Sequence, residues 1–345
     1  MRGSARTLPA IEVLALLLAT ALPLILSQFQ VIFLTRLLIL SLLALSFDFA
    51  WGQGGVFSFG QGLFFGLGAY VAALLATRAD MTSAFVAIPL AMLAGLVVAS
   101  LFGGFLLLGR RPASLIYIGM ATLAASYAAQ RLAAGWSKIG GQNGVSGVPF
   151  PTLGGADLEP GRGFYYVALA LLVAVYLAFR YLSRSQFGLV LAAARDNESR
   201  VGALGYRTAP YKWLVFALAG GVAGLSGGLS AFHEGFAGPN LLGVLTSTQA
   251  VLYVLVGGVG TLAGAVGGVF VMEYASLELS TRFASAWPVI LGGILLLVIM
   301  FLPNGLIGAV ISDRARMPTF GDRRAKPKRV PVDVSEEETV GSASA

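Results

Sequence analysis

Long apolar runs alternate with short polar segments along most of the chain. Each run approaches the roughly 20 predominantly apolar residues that a helix needs to cross a bilayer. The pattern therefore predicts an all-α, polytopic membrane protein with about ten transmembrane helices, at residues 8–26, 32–51, 55–77, 84–108, 113–134, 164–182, 211–234, 241–258, 261–280 and 286–303. The runs at 241–258 and 261–280 also fit one crossing plus a re-entrant segment, which gives nine crossings in total.

Basic residues help to decide between these two counts, because lysine and arginine favour the cytoplasmic side of a membrane. Four basic clusters flank the apolar runs, at residues 2–6, 110–111, 180–212 and 314–329. Ten crossings put all four clusters on one side, whereas nine crossings put the last cluster on the opposite side. We therefore predict ten crossings with both termini in the cytoplasm.

Composition supports a membrane domain and locates its end. Hydrophobic residues make up 57% of the chain and charged residues 11%, whereas soluble domains average roughly 25% charged residues. We assign residues 1–311 to a transmembrane domain and 312–345 to a charged cytoplasmic tail, which we expect to be disordered. The basic part of the tail favours contact with anionic membrane lipid. Membrane orientation explains the net charge of +7, so we predict no nucleic-acid partner.

The residue types present exclude several kinds of chemistry. Cysteine is absent and His233 is the single histidine, which excludes disulfide scaffolds, thiolate metal sites and multi-histidine metal sites. The sequence has no G-x-x-x-x-G-K-[ST] phosphate loop, so an ATP-driven machine needs a separate ATPase subunit. We therefore predict no catalytic residue, no metal site and no cofactor in this chain.

The longest charged segment between two spans forms a cytoplasmic loop at about 183–210. Residues 181–206 read YLSRSQFGLVLAAARDNESRVGALGY. Side chains three or four residues apart are neighbours on a helix, and the spacings that predict a short surface helix here are Arg195 to Glu198 and Asp196 to Arg200.

A short helix fixed between two spans can press into a groove on a cytoplasmic partner and transmit its movement. The alternative is a helix that simply lies on the membrane surface, and the spacing alone does not separate the two interpretations. Glycine is a common helix terminator, and the candidate coupling residues are Arg195, Asp196, Asn197, Glu198 and Gly205.

Glycines and polar residues occur together at 52–62, which reads GQGGVFSFGQG. Glycine allows close helix packing, and together with polar side chains it also allows a broken helix whose backbone lines a water-filled path. We favour the path interpretation here and assign it to Gln53, Ser58 and Gln61. For the glycines at 220–228 we favour helix packing.

The loop at 135–163 lies on the external side in the predicted topology and contains the sequence GGQNG. Gly-Gly and Asn-Gly mark tight turns. This loop is either a plain connector or a docking or gating surface for a binding protein. The candidate docking residues are Gly140, Gly141, Asn143 and Gly144.

Charged residues occur near the ends of several apolar runs, at Arg36, Asp48, Arg131, Glu273 and Glu278. Charges inside a membrane are costly and often functional. Because these residues lie near span ends, snorkelling to the interface or pairing between helices explains them.

Four segments resemble permeases of branched-chain amino acid ABC transporters. GLVLAAARDNESRVGALGY is similar to the cytoplasmic loop of that family, and the other three segments are GQGGVFSFGQGLFFGLGAYVAALLA, SKIGGQNGVSGVPFP and VLVGGVGTLAGAVGGVF. They cover nearly the whole membrane domain in the order expected for the family, and the long external loop is typical of its M-type subunit. Gln61 replaces a frequent histidine, Ala265 a frequent proline and Val201 a frequent alanine.

The resemblance implies half of the translocation path of an importer in the bacterial inner membrane. It implies a permease partner, either homologous or a second copy, two cytoplasmic ATPases that bind ATP and dock on 188–206, and a periplasmic or surface solute-binding protein. The expected substrates are branched-chain amino acids, with urea or short amides as the alternative within the family. An ATP-independent secondary transporter or channel is the alternative of another class.

Overall fold

The computed structural model describes residues 7–109, 114–282, 292–293 and 305. Arg110, Arg111, almost all of the predicted span at 286–303 and the tail at 312–345 lie outside the described residues. The α-helices of the described part are α1 (Thr7–Ile25), α2 (Gln28–Asp48), α3 (Gln61–Arg78), α4 (Ala84–Leu107), α5 (Leu115–Gly135), α6 (Arg162–Arg184), α7 (Gln186–Asp196), α8 (Glu198–Ala203), α9 (Thr208–Glu234), α10 (Val244–Gly257) and α11 (Leu262–Arg282).

The described strands are very short, and they are β1 (Val145–Ser146), β2 (Thr152–Leu153), β3 (Ala156–Asp157) and β4 (Phe236–Ala237). β2 and β3 form a small antiparallel hairpin within the α5–α6 loop. β1 pairs antiparallel with β4, which directly follows α9. This pairing fixes the α5–α6 loop against the end of α9.

Helix α9 lies at the centre of the bundle, with α2, α3 and α4 packed around it. All of its residues from 215 to 229 except Leu218 are buried. Its glycines allow this close packing, because a Cβ atom added at Gly224 would lie 2.5 Å from the carbonyl oxygen of Ala91 on α4. Small residues are the usual means by which membrane helices approach each other closely.

Within the described residues, five apolar helical segments are long enough to cross a membrane, and they are Gln28–Gln53, Ala84–Leu107, Arg162–Arg184, Thr208–Glu234 and Leu262–Arg282. Large apolar side chains face outward from α4, α5 and α6, among them Phe105, Ile116 and Leu177. In a bilayer this outer surface faces lipid. The protein is therefore a multi-pass, all-α membrane protein.

Two of the predicted spans have different bounds in the structure. The span predicted at 241–258 is helical over the 14 residues of α10, and a 3₁₀ turn occupies Pro239–Leu242 before it. The span predicted at 55–77 becomes helical only at Gln61.

Helix α2 continues beyond Asp48 into a π-helical turn, Phe49–Gln53, and residues 54–60 then form a non-helical segment. Gly55 has a φ of +66°, a conformation that side-chain-bearing residues rarely adopt. The chain is therefore interrupted between α2 and α3 at the glycine-rich segment, and this break positions the predicted path residues Gln53, Ser58 and Gln61.

Candidate functional site

The predicted coupling segment forms two short helices, and the single continuous helix predicted from its charge spacing is wrong. α7 ends at Asp196 and α8 begins at Glu198, because Asn197 between them is extended with φ −161° and ψ 99°. The side-chain oxygen of Asn197 accepts a hydrogen bond from the backbone N–H of Arg200 at 3.0 Å. Asn197 is thus the N-cap of α8, a position that asparagine favours.

The end of α8 agrees with the sequence. α8 stops at Ala203, and Gly205 follows with a φ of +86°. Val201 of α8 is buried, whereas Leu204, which follows the helix, is exposed. Gly205 therefore provides the predicted helix stop, and α8 packs against the rest of the protein through Val201.

Glu198 joins α8 to the first turns of α9. Its Oε2 accepts a hydrogen bond from Lys212 Nζ at 2.7 Å, and its Oε1 accepts one from Thr208 Oγ1 at 2.6 Å. Partial burial raises the pKa of Glu198, but these two hydrogen bonds and the charge of Lys212 outweigh it, so the pKa lies below its ordinary value. The carboxylate therefore remains charged and keeps α8 against α9 at neutral pH.

Arg195, at the end of α7, reaches from the coupling segment into the membrane domain. Its guanidinium donates a hydrogen bond to the backbone carbonyl of Gly52 in the π-helical turn. The guanidinium also lies near Gly260, whose added Cβ would be 3.6 Å from Arg195 Nη1. A single side chain thus contacts the end of α2 and the turn between α10 and α11.

The turn between α10 and α11 is itself bonded to the end of α2. The N–H of Gly260 donates a hydrogen bond to Asp48 Oδ1 at 2.6 Å, and its carbonyl accepts one from Gln53 Nε2 at 3.0 Å. The contact is close, because a Cβ atom on Gly52 would lie 2.5 Å from Gly260 N. We call Asp48, Gly52, Gln53, Arg195 and Gly260 the junction.

A second polar group surrounds Phe59 in the break between α2 and α3. The N–H of Phe59 donates to Thr122 Oγ1 at 3.0 Å, and its carbonyl accepts from Ser126 Oγ at 3.0 Å and Ser247 Oγ at 2.6 Å. Ser247 also accepts from the N–H of Gly62. Side chains from α5 and α10 thus satisfy backbone groups that the broken helix leaves free, as a membrane interior requires.

The three predicted path residues lie in different parts of this region. Gln53 belongs to the junction, next to the coupling segment. Ser58 is fully buried and accepts a hydrogen bond from the N–H of Gly60. Gln61 is also fully buried; its Oε1 accepts from Ser46 Oγ at 3.2 Å, and its Nε2 has no partner among the described residues. Their role in a path remains a prediction.

The predicted docking residues form a tight turn at the other end of the bundle. Gly140, Gly141 and Gly144 all have positive φ, between +56° and +98°. A Cβ atom on Gly144 would lie 2.5 Å from the carbonyl oxygen of Ala237 in β4. The glycines therefore allow the α5–α6 loop to fold closely over the end of α9, and Asn143 ends the short 3₁₀ turn Gly141–Asn143 between them.

Several residues of this arrangement were not predicted from the sequence. Lys212 and Thr208 follow the charged segment but belong to α9, so helix spacing gives no sign that they contact Glu198. Asp48 and Gly260 are 212 residues apart. The GGVGT sequence at 257–261 was a usable signal, because its glycines predict a tight turn close to another backbone. Within the described residues, no group of three or more potential metal ligands is present.

The chain matches one protein family along most of its length. The family described as branched-chain amino acid transport system / permease component matches residues 30–302. The high-affinity branched-chain amino acid transport system permease protein LivM of Salmonella typhimurium is 27% identical over 85% of this chain and 73% of its own length, as is LivM of Escherichia coli.

A more limited similarity joins the chain to the autoinducer 2 import system permease protein LsrC of Salmonella paratyphi B. It is 30% identical over 42% of each chain. No solved structure matches the chain.

Proposed function

The chain belongs to the family of branched-chain amino acid transport permease components, and we propose that it forms half of the translocation path of an ATP-driven importer for leucine, isoleucine and valine. The observation that carries this proposal is the family match over residues 30–302, which spans the membrane bundle, the coupling segment and the junction. The names of the two relatives that match most of the chain support branched-chain amino acids over urea or short amides.

ATP binding and hydrolysis take place in separate subunits in this proposal. Two cytoplasmic ATPases dock on the coupling segments, one on α7 and α8 of this chain and one on its permease partner. The exposed surface at the break between α7 and α8, which includes Asp196 and Arg200, is suited to a charged groove on an ATPase. The partner permease is a homologue or a second copy.

The junction provides a physical connection from this docking surface to the path. When an ATPase moves α7, Arg195 transmits the movement to the π-helical turn of α2 and to Gly260 at once. Both elements adjoin the break between α2 and α3. Rigid-body movement of packed elements is a common form of such switching, and here it would alternate the access of the path between the two sides of the membrane.

A solute-binding protein delivers the substrate at the opposite face. The α5–α6 loop, with Gly140, Gly141, Asn143 and Gly144, is the proposed docking surface, because its turns are fixed by β1–β4 pairing to the end of α9. This orientation puts both termini in the cytoplasm of a bacterium and the chain in its inner membrane.

Uptake into proteoliposomes tests the function. The vesicles hold this chain with its candidate permease partner, ATPases and binding protein, and receive radiolabelled leucine or urea. The proposal predicts leucine uptake that requires ATP on the side of the membrane where the ATPases are bound. Uptake of urea but not leucine would mean that the substrate is urea and not a branched-chain amino acid. Uptake by this chain alone without ATP would indicate a channel or secondary carrier instead.

A further inference from the structure

A cavity of about 260 Å³ lies at the end of α9 that is remote from α7 and α8. Its wall includes Glu234, which is 22 residues beyond Lys212 on the same helix. At 1.5 Å per residue the two are about 33 Å apart along the helix axis. The cavity therefore lies on the side of the membrane opposite the coupling segment.

The wall of the cavity combines apolar side chains with opposite charges. Ile39 and Leu40 of α2, Phe65 of α3 and Leu241 of the 3₁₀ turn provide the apolar part. Among the described lining residues, the charged side chains are Arg36 and Glu234, so the cavity presents one cation and one anion beside an apolar surface.

The two charges face each other without forming a close ion pair. Arg36 Nε lies 3.8 Å from Glu234 Oε1, and the two side chains are 51% and 47% exposed. This separation exceeds that of a good hydrogen bond. Each group therefore keeps donors or acceptors for a third molecule, in contrast to Glu198 and Lys212, which bond at 2.7 Å.

The arrangement matches the chemistry of a free amino acid. A guanidinium binds a carboxylate through charge-assisted hydrogen bonds, a glutamate carboxylate accepts hydrogen bonds from an ammonium group, and the apolar wall accommodates an aliphatic side chain. The volume is slightly below the roughly 300–1,000 Å³ of pockets for drug-sized ligands. It suits a single amino acid better than a peptide.

The position of the cavity is also suited to delivery from outside. Phe236 of β4 lines it, and β4 pairs with β1 of the α5–α6 loop. The proposed docking surface for a binding protein thus adjoins the cavity.

We propose that this cavity is an outer binding site for one zwitterionic amino acid with an apolar side chain, whose carboxylate is bound by Arg36 and whose ammonium group is bound by Glu234. The inference rests on the proposed function and adds to it the residues that recognise the two charged groups of the substrate. An uncharged solute such as urea has neither a carboxylate for Arg36 nor an ammonium group for Glu234.

Equilibrium binding to the permease complex in lipid nanodiscs tests the site without the binding protein. The probe is radiolabelled leucine, and the competitors are leucinamide, which lacks the carboxylate, and 4-methylpentanoate, which lacks the ammonium group. Arg36→Gln is expected to weaken leucine binding about tenfold or more. It should also reduce the ratio of the affinity for leucine to the affinity for leucinamide. Glu234→Gln is expected to reduce the ratio of the affinity for leucine to the affinity for 4-methylpentanoate. These preferences are ratios, so a lower yield of folded variant does not change them.

Matched controls come from the exposed pair Glu278 and Arg282 on α11, which lie outside the cavity. Glu278→Gln and Arg282→Gln should bind leucine as the wild type does. Wild-type preferences in Arg36→Gln and Glu234→Gln, or the lack of saturable leucine binding by the wild-type complex, would overturn the site. The proposed function is judged separately by ATP-dependent leucine uptake of the wild type. If the wild type imports leucine but both variants bind it with wild-type preferences, the outer site is rejected and the proposed function stands.

Discussion

Arg195 donates a hydrogen bond to the backbone carbonyl of Gly52, 143 residues earlier in the chain. This contact joins the end of α7 to the π-helical turn that ends α2. Gly260 completes the junction through its hydrogen bonds to Asp48 and Gln53. In the proposed function, a movement of the coupling segment would therefore reach two membrane elements through a single side chain.

The close approach at Gly52 leads to a stability prediction. In Gly52→Ala the new methyl group would lie 2.5 Å from Gly260 N, so the junction must open to accommodate it. Overpacking of this kind typically costs about 1–3 kcal/mol. We expect a lower melting temperature for the purified variant in detergent, followed by tryptophan fluorescence.

Gly202→Ala on α8 is the matched control, because an added Cβ there meets no atom within 4 Å. Alanine is favoured over glycine inside a helix by roughly 0.5–1 kcal/mol, so this variant should melt at the wild-type temperature or slightly above. Equal melting temperatures for Gly52→Ala and Gly202→Ala would contradict the packing of the junction.

Charge reversal at Glu198 should impair transport without preventing membrane insertion. In Glu198→Lys a second ammonium group faces Lys212 in place of the present 2.7 Å ion pair, and α8 loses its connection to α9. We expect ATP-dependent leucine uptake to fall about tenfold, which corresponds to a change of 1.4 kcal/mol. Glu278→Lys reverses a charge of an exposed pair on α11 and should transport normally. Normal uptake by Glu198→Lys would count against the role of α8.

The lowered pKa of Glu198 predicts a specific pH dependence. A carboxyl group whose pKa is lower in the folded state stabilises that state above its ordinary pKa, here 4.5, and loses this contribution as pH falls through the lowered value. The melting temperature of the wild type should therefore exceed that of Glu198→Gln at pH 7. We expect this difference to shrink below about pH 4.5. A difference that grows on acidification would show that the carboxylate is not stabilised as the structure indicates.

Local sequence patterns predicted most of the fold. Apolar runs located the long helices well, since α4 at Ala84–Leu107 and α9 at Thr208–Glu234 lie close to their predicted bounds. The same patterns placed the start of α3 too early, because the apolar, glycine-rich residues 55–60 are not helical and the helix begins only at Gln61. Hydropathy measures how apolar a segment is and does not measure where its backbone stops being helical.

The site was less predictable because its contacts join distant segments. The spacing of Arg195, Asp196 and Glu198 suggested pairs within one helix, whereas Asn197 caps a new helix and sends Glu198 to Lys212 and Arg195 to Gly52. The alternative conformation of asparagine at an N-cap competes with a continuous helix. Contacts with distant residues, and not the local spacing of charges, decide whether the chain continues as one helix or begins a new helix at Asn197.

The number of leucine molecules imported per ATP hydrolysed tests the central claim most directly, namely that the junction couples ATPase movement to the path. It is measured in proteoliposomes that hold the full complex with wild-type chain, Arg195→Ala, or Arg207→Ala as an exposed control in the same loop. We predict that Arg195→Ala continues to hydrolyse ATP but imports about tenfold less leucine per ATP, while Arg207→Ala keeps the wild-type ratio. An unchanged ratio in Arg195→Ala would contradict the account.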